Sequence, residues 1–375
     1  KAHGVTRKVT LHPSLLATPP PVAPLLVAPS LVAFELERVE ERLAALASMG
    51  LHESAVSAAL SEIINGGGKR LRPTLTLLCG NLGKDLTSSL DARDCGPDAN
   101  LSPEALANSL AESEALIDVA SAIELIHLAS LVHDDVVDNA TVRRGIPTLH
   151  SRFDNAIAVF AGDYLLSRAF SVLISHLDPT TMRSVANLLR GICEGEIEQH
   201  RLRHDLTITV DRYLRIIRQK TAFLLALSCR LGAYVGRLSP SHVRALTQYG
   251  MSLGMAFQIT DDILNLTGDP RVTGKPVGSD LLEGVYTLPI ILVLNDGRYK
   301  GYRAELLSLL EKERLEDGGI EATRDLLKEA GALDEARAIA RSYVQRAEAC
   351  LKEIPGGPHR DGLRELAQWV VMREL

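Results

Sequence analysis

The chain has 375 residues, 46% of them hydrophobic and 23% charged, with a formal net charge of −6. That length suffices to bury one large core or two, and the acidic balance excludes the basic surface of a general phosphate-backbone binder. Phe, Trp and Tyr supply only 4%, which argues against base-stacking platforms and leaves the core to Leu, Ala, Val and Ile, an all-α composition.

Residues 1–34 carry Lys1, Arg7 and Lys8 and no acid before Glu35. Their apolar stretch is broken by Pro19, Pro20, Pro21, Pro24 and Pro29, which excludes a membrane span there. The segment reads as a flexible Pro-rich extension of a cytoplasmic protein. Organellar targeting is the alternative, with only Ser14 and Ser30 to supply hydroxyl character. From Glu35 to the C-terminus one helical domain, 35–375, is expected.

Helical spacing of apolar residues marks Leu36–Ala47, Ala55–Ile64, Pro103–Asp138, Ala156–Ser175 and Thr181–His200. It continues through Val210–Val235, Ser241–Leu266, Leu333–Ile354 and Arg364–Arg373. No sustained alternation with turn pairs predicts a sheet. Lys84–Pro103, rich in Ser, Asp, Gly and Asn, is predicted to be a long surface loop. Cys79, Cys95, Cys193, Cys229 and Cys350 form no C-x-x-C pair, so neither a zinc knuckle nor a disulfide framework is indicated, consistent with a reducing compartment.

The sharpest local signal is HLASLVHDDVVD at 127–138. On a helix His127, Asp134 and Asp138 share one stripe, and Asp135 is turned about 100° from it. Apolar neighbours on both sides place these acids against the interior, where unpaired anions are costly and a bound cation is the usual remedy. Oxygen ligands without Cys favour Mg²⁺ over Zn²⁺. A solvated acidic turn is the competing account of one such cluster. A second cluster, GMAFQITDDILN at 254–265, puts Gln258, Asp261 and Asn265 on one face. Two helices with inward acids resemble a metal site in a bundle core. Mg²⁺ held by few protein ligands points to a polyphosphate substrate.

Cations for that substrate are also present. GGGKRLRP at 66–73 sets Lys69, Arg70 and Arg72 beside a glycine turn without the spacing of a P-loop. Arg143 and Arg144 follow the acidic helix, Lys220-Thr221 interrupts an apolar one, and Lys275 lies in Gly-Lys-Pro. Each alone reads as a solvated charge. Together with two acidic stripes they suggest two anionic groups held side by side.

GGGKRLRP, LVHDDVVDNATVRRG, QKTA, FQITDDILN and GKPVGSDLLEGVYTLP occur in the order found in trans-polyprenyl diphosphate synthases. The chain resembles that family from about Glu35 to its end. The resemblance implies a single-domain helical bundle around a central cavity, usually a homodimer, with a heteromer as the alternative. It implies that Asp134, Asp135, Asp138, Asp261 and Asp262 serve Mg²⁺ ions, with Asp134, Asp138, Asp261 and Asp262 as ligands, bridging an allylic diphosphate. Lys69, Arg72, His127 and Arg144 then match positions that grip isopentenyl diphosphate. Arg143, Lys220, Thr221, Gln258 and Lys275 match positions around the allylic diphosphate and its reacting carbon, with Lys220 among the catalytic set.

One departure stands out: Asn265 occupies a position where the family usually has Asp, which predicts weaker metal affinity there. Short-chain relatives commonly carry a bulky aromatic four or five residues before the first acidic motif. Here Ser130 and Ala129 stand at those positions, with Ile126, Leu125 and Ala122 in the next turns. An open tunnel floor predicts products from heptaprenyl to decaprenyl, with geranylgeranyl as the fallback, and the hydrophobic product would pass to a membrane. Small residues that merely permit close helix packing are the competing account. A terpene cyclase would not need the GGGKRLRP site, and a non-catalytic partner subunit would be expected to lose metal-binding acids.

Overall fold

The computed structural model describes residues 27–48, 55–66, 68–94, 103–143, 145–268, 277–311 and 315–373. Helices α1 (Val27–Leu31), α2 (Ala33–Ser48), α3 (Ala55–Asn65) and α4 (Leu71–Asp94) lead into α5 (Pro103–Val137). A two-stranded antiparallel ribbon, Val142–Arg143 with Ile146–Pro147, follows α5. It is the one sheet among the described residues, so the all-α expectation holds.

Next come α6 (Leu149–Arg152), α7 (Asn155–His176), α8 (Pro179–Arg201) and α9 (Val210–Ile217). A π-helical turn, Arg218–Ala222, joins α9 to α10 (Phe223–Val235), and α11 (Pro240–Thr267) completes the central layer. Shorter helices follow, among them Leu288–Asn295, then Ala332–Cys350 and the C-terminal helix Pro358–Met372.

Helix α5 is the central element. It is apolar on nearly every side, as a helix surrounded by others must be, and Val119, Ala120, Ala122, Ile123 and Leu125 are all buried. It packs mainly on α7, α4 and α2, while α11 lies against α10 and Ala332–Cys350. Among the described residues α5 and α7 are each long and apolar enough to cross a membrane. Most of α5 is buried by the bundle, whereas α7 leaves Val159, Phe160 and Ile174 exposed. A cavity of about 1050 Å³, lined by Ala111, Ala115, Arg230, Tyr234 and Arg244, opens near the start of α5. It lies roughly 30 Å along that helix from the acidic end, at 1.5 Å per residue.

Two boundaries differ from the sequence reading. The extension was expected to run to residue 34, yet α1 begins at Val27. Ala28 and Val32 are fully buried, and the Ala28 amide donates to Glu365 Oε2 at 3.0 Å. Pro29 is tolerated because it sits in the first turn, where its missing N–H is needed least. The predicted loop from Lys84 is in fact the continuation of α4 to Asp94. Asp85 anchors it, accepting from the His359 amide at 3.2 Å and lying 2.8 Å from its Nδ1. Residues 95–102, the remainder of that expected loop, lie outside the described residues.

Two glycines set the site's geometry by close approach. A Cβ on Gly254 of α11 would lie 2.4 Å from Ala222 Cα, and one on Gly195 of α8 would lie 3.1 Å from the Lys220 nitrogen. Only glycine lets both helices close on the π-helical turn.

Candidate active site

The first acidic cluster ends α5. Asp135 is buried and accepts from Arg143 Nε at 2.6 Å, so the ribbon after α5 carries its counter-ion. Asp138 accepts from Arg203 Nη2 at 2.6 Å. Burial, then the repulsion of Glu196 and Asp138, pushes the Asp134 carboxyl up to about 6, against the pull of Lys220 and Arg143. Burial and Arg143 act oppositely on Asp135, and the net shift is upward. The Lys220 ammonium lies 2.9 Å from Glu196 Oε2. Burial opposes its charge, but Glu196 and Asp134 more than restore it, so it stays cationic.

The second cluster ends α11. Asp262 is buried, accepting from Tyr213 Oη at 2.6 Å and from Gln258 Nε2 at 2.7 Å. Burial and the charge of Asp280 push it up to about 7, although both hydrogen bonds pull it down. Asp261 meets Arg373 Nη2 at 2.5 Å. Thr221 Oγ1 donates to Gln258 Oε1 at 2.6 Å.

The π-helical turn therefore joins the two clusters. Lys220 sits in the field of Asp134 and Asp138, and its neighbour Thr221 orients the amide that binds Asp262. A π-helical turn inserts one residue into an α-helix, a feature frequent at functional sites.

The remaining expected residues are spread around this centre. Lys69 is exposed, with its ammonium 4.8 Å from the Trp369 ring centroid. Arg72 is the second residue of α4 and half-buried. His127 lies half-buried on α5, its carbonyl accepting from Ser130 Oγ at 2.8 Å. Ala129 is fully buried and Ser130 half-buried. Arg144 and Lys275 lie outside the described residues.

Sequence reasoning passed over Glu196, Arg203, Tyr213 and Arg373, each a lone residue without a local motif. It also counted Arg70 among the loop's cations without a separate task. Arg70 Nε and Nη2 reach Glu40 at 2.6 and 2.9 Å, Nη1 reaches Glu124 at 2.9 Å, and Nη2 donates to the Ile64 carbonyl at 2.5 Å. Asn265 also has a task of its own: Nδ2 donates to Ser279 Oγ at 2.8 Å, and Oδ1 accepts from the Asp280 amide at 3.3 Å.

Among the described residues no three His, Cys, Asp or Glu side chains converge as they would around one fully protein-bound ion. The acids offer oxygen alone; Asp135 and Asp262 are buried, and burial raises Asp134 and Asp262 toward neutrality. That suits a hard divalent cation whose remaining ligands are water and substrate oxygen.

Residues 53–327 match the polyprenyl synthetase family. Heptaprenyl diphosphate synthase component 2 of Geobacillus stearothermophilus is 34% identical over 342 residues, 91% of this chain and 94% of that relative. Nonaprenyl diphosphate synthase of Mycobacterium tuberculosis is 32% identical over 322 residues, 86% of this chain and 88% of its own. The crystal structure of heptaprenyl diphosphate synthase from Staphylococcus aureus superposes with a TM-score of 0.77 at 30% identity, covering 92% of this chain and 99% of that one. The helical fold and the family match together define a prenyltransferase. The chain belongs to the polyprenyl synthetase family.

Proposed function

We propose that this enzyme condenses isopentenyl diphosphate with an allylic diphosphate to give a trans-polyprenyl diphosphate of seven to ten isoprene units. The observation that carries this reading is the Lys220-Thr221 bridge, which ties both acid clusters into one anion-handling centre. Asp134, Asp138, Asp261 and Asp262 would hold Mg²⁺, with Asp135 supporting them through Arg143. Bound there, the metal supplies positive charge that stabilises a departing diphosphate.

The chain's own residues do the rest. Arg143 and Lys220, with Arg144 and Lys275 by resemblance, add cationic charge where the leaving diphosphate gains negative charge. Thr221 and Gln258 fix the second acid pair. Lys69, Arg72 and His127 hold isopentenyl diphosphate, whose double bond attacks the allylic carbon as its C–O bond breaks. One proton then leaves the new chain, taken by the released diphosphate. The apolar flank of α5 excludes water from the cationic intermediate.

Heptaprenyl to decaprenyl products follow from the small residues Ala129 and Ser130 and agree with the names of the Geobacillus and Mycobacterium relatives; geranylgeranyl diphosphate is the alternative. The exposed apolar residues of α7 support a homodimer. The name "component 2" of the Geobacillus relative is the reason to keep a heteromer, in which this chain works with a second protein, as the other reading. We place the enzyme in the cytoplasm, handing its hydrophobic product to a membrane.

The test is incubation of the purified chain alone with isopentenyl diphosphate, farnesyl diphosphate and Mg²⁺, read by mass spectrometry. Long prenyl diphosphates are expected. Product only on addition of a second protein would favour the heteromer.

A further inference from the structure

The last turn of the C-terminal helix enters the site from a direction that no motif announces. Arg373 follows directly on that helix, and its side chain is 10% exposed. Its guanidinium stacks on Phe257 at 4.3 Å and on Trp369 at 5.1 Å, and Nη2 lies 2.5 Å from Asp261 Oδ1. Trp369 also carries the Lys69 ammonium. The helix end thus touches both the second acid pair and the GGGKRLRP loop.

Asp261 stands beside Asp262, whose carboxyl is also raised by Asp280. A metal-free carboxylate so placed needs positive charge, and a stacked guanidinium supplies it in fixed geometry. A divalent cation would satisfy the same need at the same oxygen, so the two compete. Stacking on Phe257 and Trp369 does not depend on that ion pair and holds the guanidinium nearby after exchange.

We propose that Arg373 is a displaceable counter-ion. It neutralises Asp261 in the metal-free enzyme and yields that carboxylate to the divalent cation, so the final helical turn senses occupation of the site. Arg373 is a positioning residue in this scheme, and the scheme rests on the reading of Asp261 as a metal ligand.

Trp369 is the sole tryptophan of the chain, so its fluorescence reports on this turn alone. The full chain is titrated with Mg²⁺ in the presence of inorganic diphosphate, following Trp369 emission and, by calorimetry, metal binding. In the native protein the emission should change saturably along the calorimetric curve. Arg373→Met removes the competitor and should lower the Mg²⁺ midpoint roughly two- to fivefold, as expected for loss of one partly exposed ion pair. Arg373→Lys retains charge without the planar fork and should fall between them, which separates competition from misfolding.

An unchanged or higher midpoint in Arg373→Met, or flat native emission while calorimetry shows binding, would overturn the proposal. Asp261→Asn isolates the underlying reading. If it weakens Mg²⁺ binding while Arg373→Met changes nothing, only the counter-ion role fails. If Asp261→Asn binds Mg²⁺ like the native chain, Asp261 is not a ligand and the counter-ion role falls with it.

Discussion

The Tyr213 hydroxyl donates to Asp262 Oδ2 at 2.6 Å, from a helix separated from α11 in sequence by the whole π-helical turn and α10. Asp262 is buried, so this bond and the one from Gln258 are what allow it to carry charge. Tyr213→Phe removes the donor and leaves the ring. A hydrogen bond to a buried charged group contributes about 1.5–3 kcal/mol. The variant should lose stability of that order where Asp262 is ionised, read from the urea midpoint, and should require more Mg²⁺ for half-maximal activity. If neither quantity moves, Tyr213 does not support Asp262.

The raised acids fix the sign of a pH dependence. Burial, aided by neighbouring carboxylates, holds Asp134 at about 6 and Asp262 at about 7, above the ordinary value of about 3.9. Between about pH 4 and 7 the folded chain therefore binds protons that the unfolded chain has released, and stability falls as pH rises through that window. In metal-free protein the urea midpoint should drop from about pH 5 to about pH 7.5. Asp262→Asn should flatten the fall, and Mg²⁺ should reverse it. A midpoint that climbs over this range in the native chain would contradict the assignment.

Arg70 has φ +44° and binds two carboxylates and a carbonyl at once, fixing the loop before α4 to α2 and α5. Arg70→Met leaves Glu124, whose side chain is 5% exposed, without its countercharge. Breaking such a buried pair costs about 3–5 kcal/mol, measurable by urea unfolding. Arg70→Lys keeps the charge but loses the fork. It should raise KM for isopentenyl diphosphate more than it lowers kcat, because the loop carries Lys69 and sets the start of α4, where Arg72 lies.

Asn265 faces the Ser279–Asp280 turn with both ends of its amide. Asn265→Asp removes the N–H donor and adds a charge near Asp261, Asp262 and Asp280. The metal-free variant should be less stable, and its magnesium requirement should be lower than that of the native chain. An unchanged magnesium dependence would mean that position 265 serves only the turn.

Ala129→Phe should shorten the product distribution sharply, as judged by mass spectrometry. Ala129 is fully buried, so overpacking should also cost about 1–3 kcal/mol. Ser130→Phe, at a half-buried position, should shorten products with a smaller loss of stability. Native product lengths in both variants would place the tunnel elsewhere.

The sequence made the helices legible where apolar spacing repeats, as along α2, α8 and α11. The all-apolar helix Leu288–Asn295 has no polar face to reveal a period, and it went unseen. Ser and Asp in 84–94 suggested a loop because they favour turns, while Asp85 and its contact with His359 belong to tertiary structure. The acid pairs, Lys220 and Gln258 were visible as motifs. Their join was not, since a π-helical turn leaves no local mark in composition, and Glu196, Tyr213 and Arg373 reach the site as single residues from distant helices.

The π-helical turn at 218–222 also has a consequence for how this gene tolerates change. It holds one residue more than an uninterrupted α-helix would, so a single-codon deletion there could preserve a continuous helix from Val210 to Val235. Because the wide turn already absorbs the extra residue, such a deletion would leave α9 and α10 nearly in phase, but it would remove a position from the turn that carries Lys220 to Glu196 and Thr221 to Gln258. A frame-preserving lesion that leaves helix content intact would thereby uncouple the two acid clusters, whereas the same deletion in a surface turn would pass nearly unnoticed.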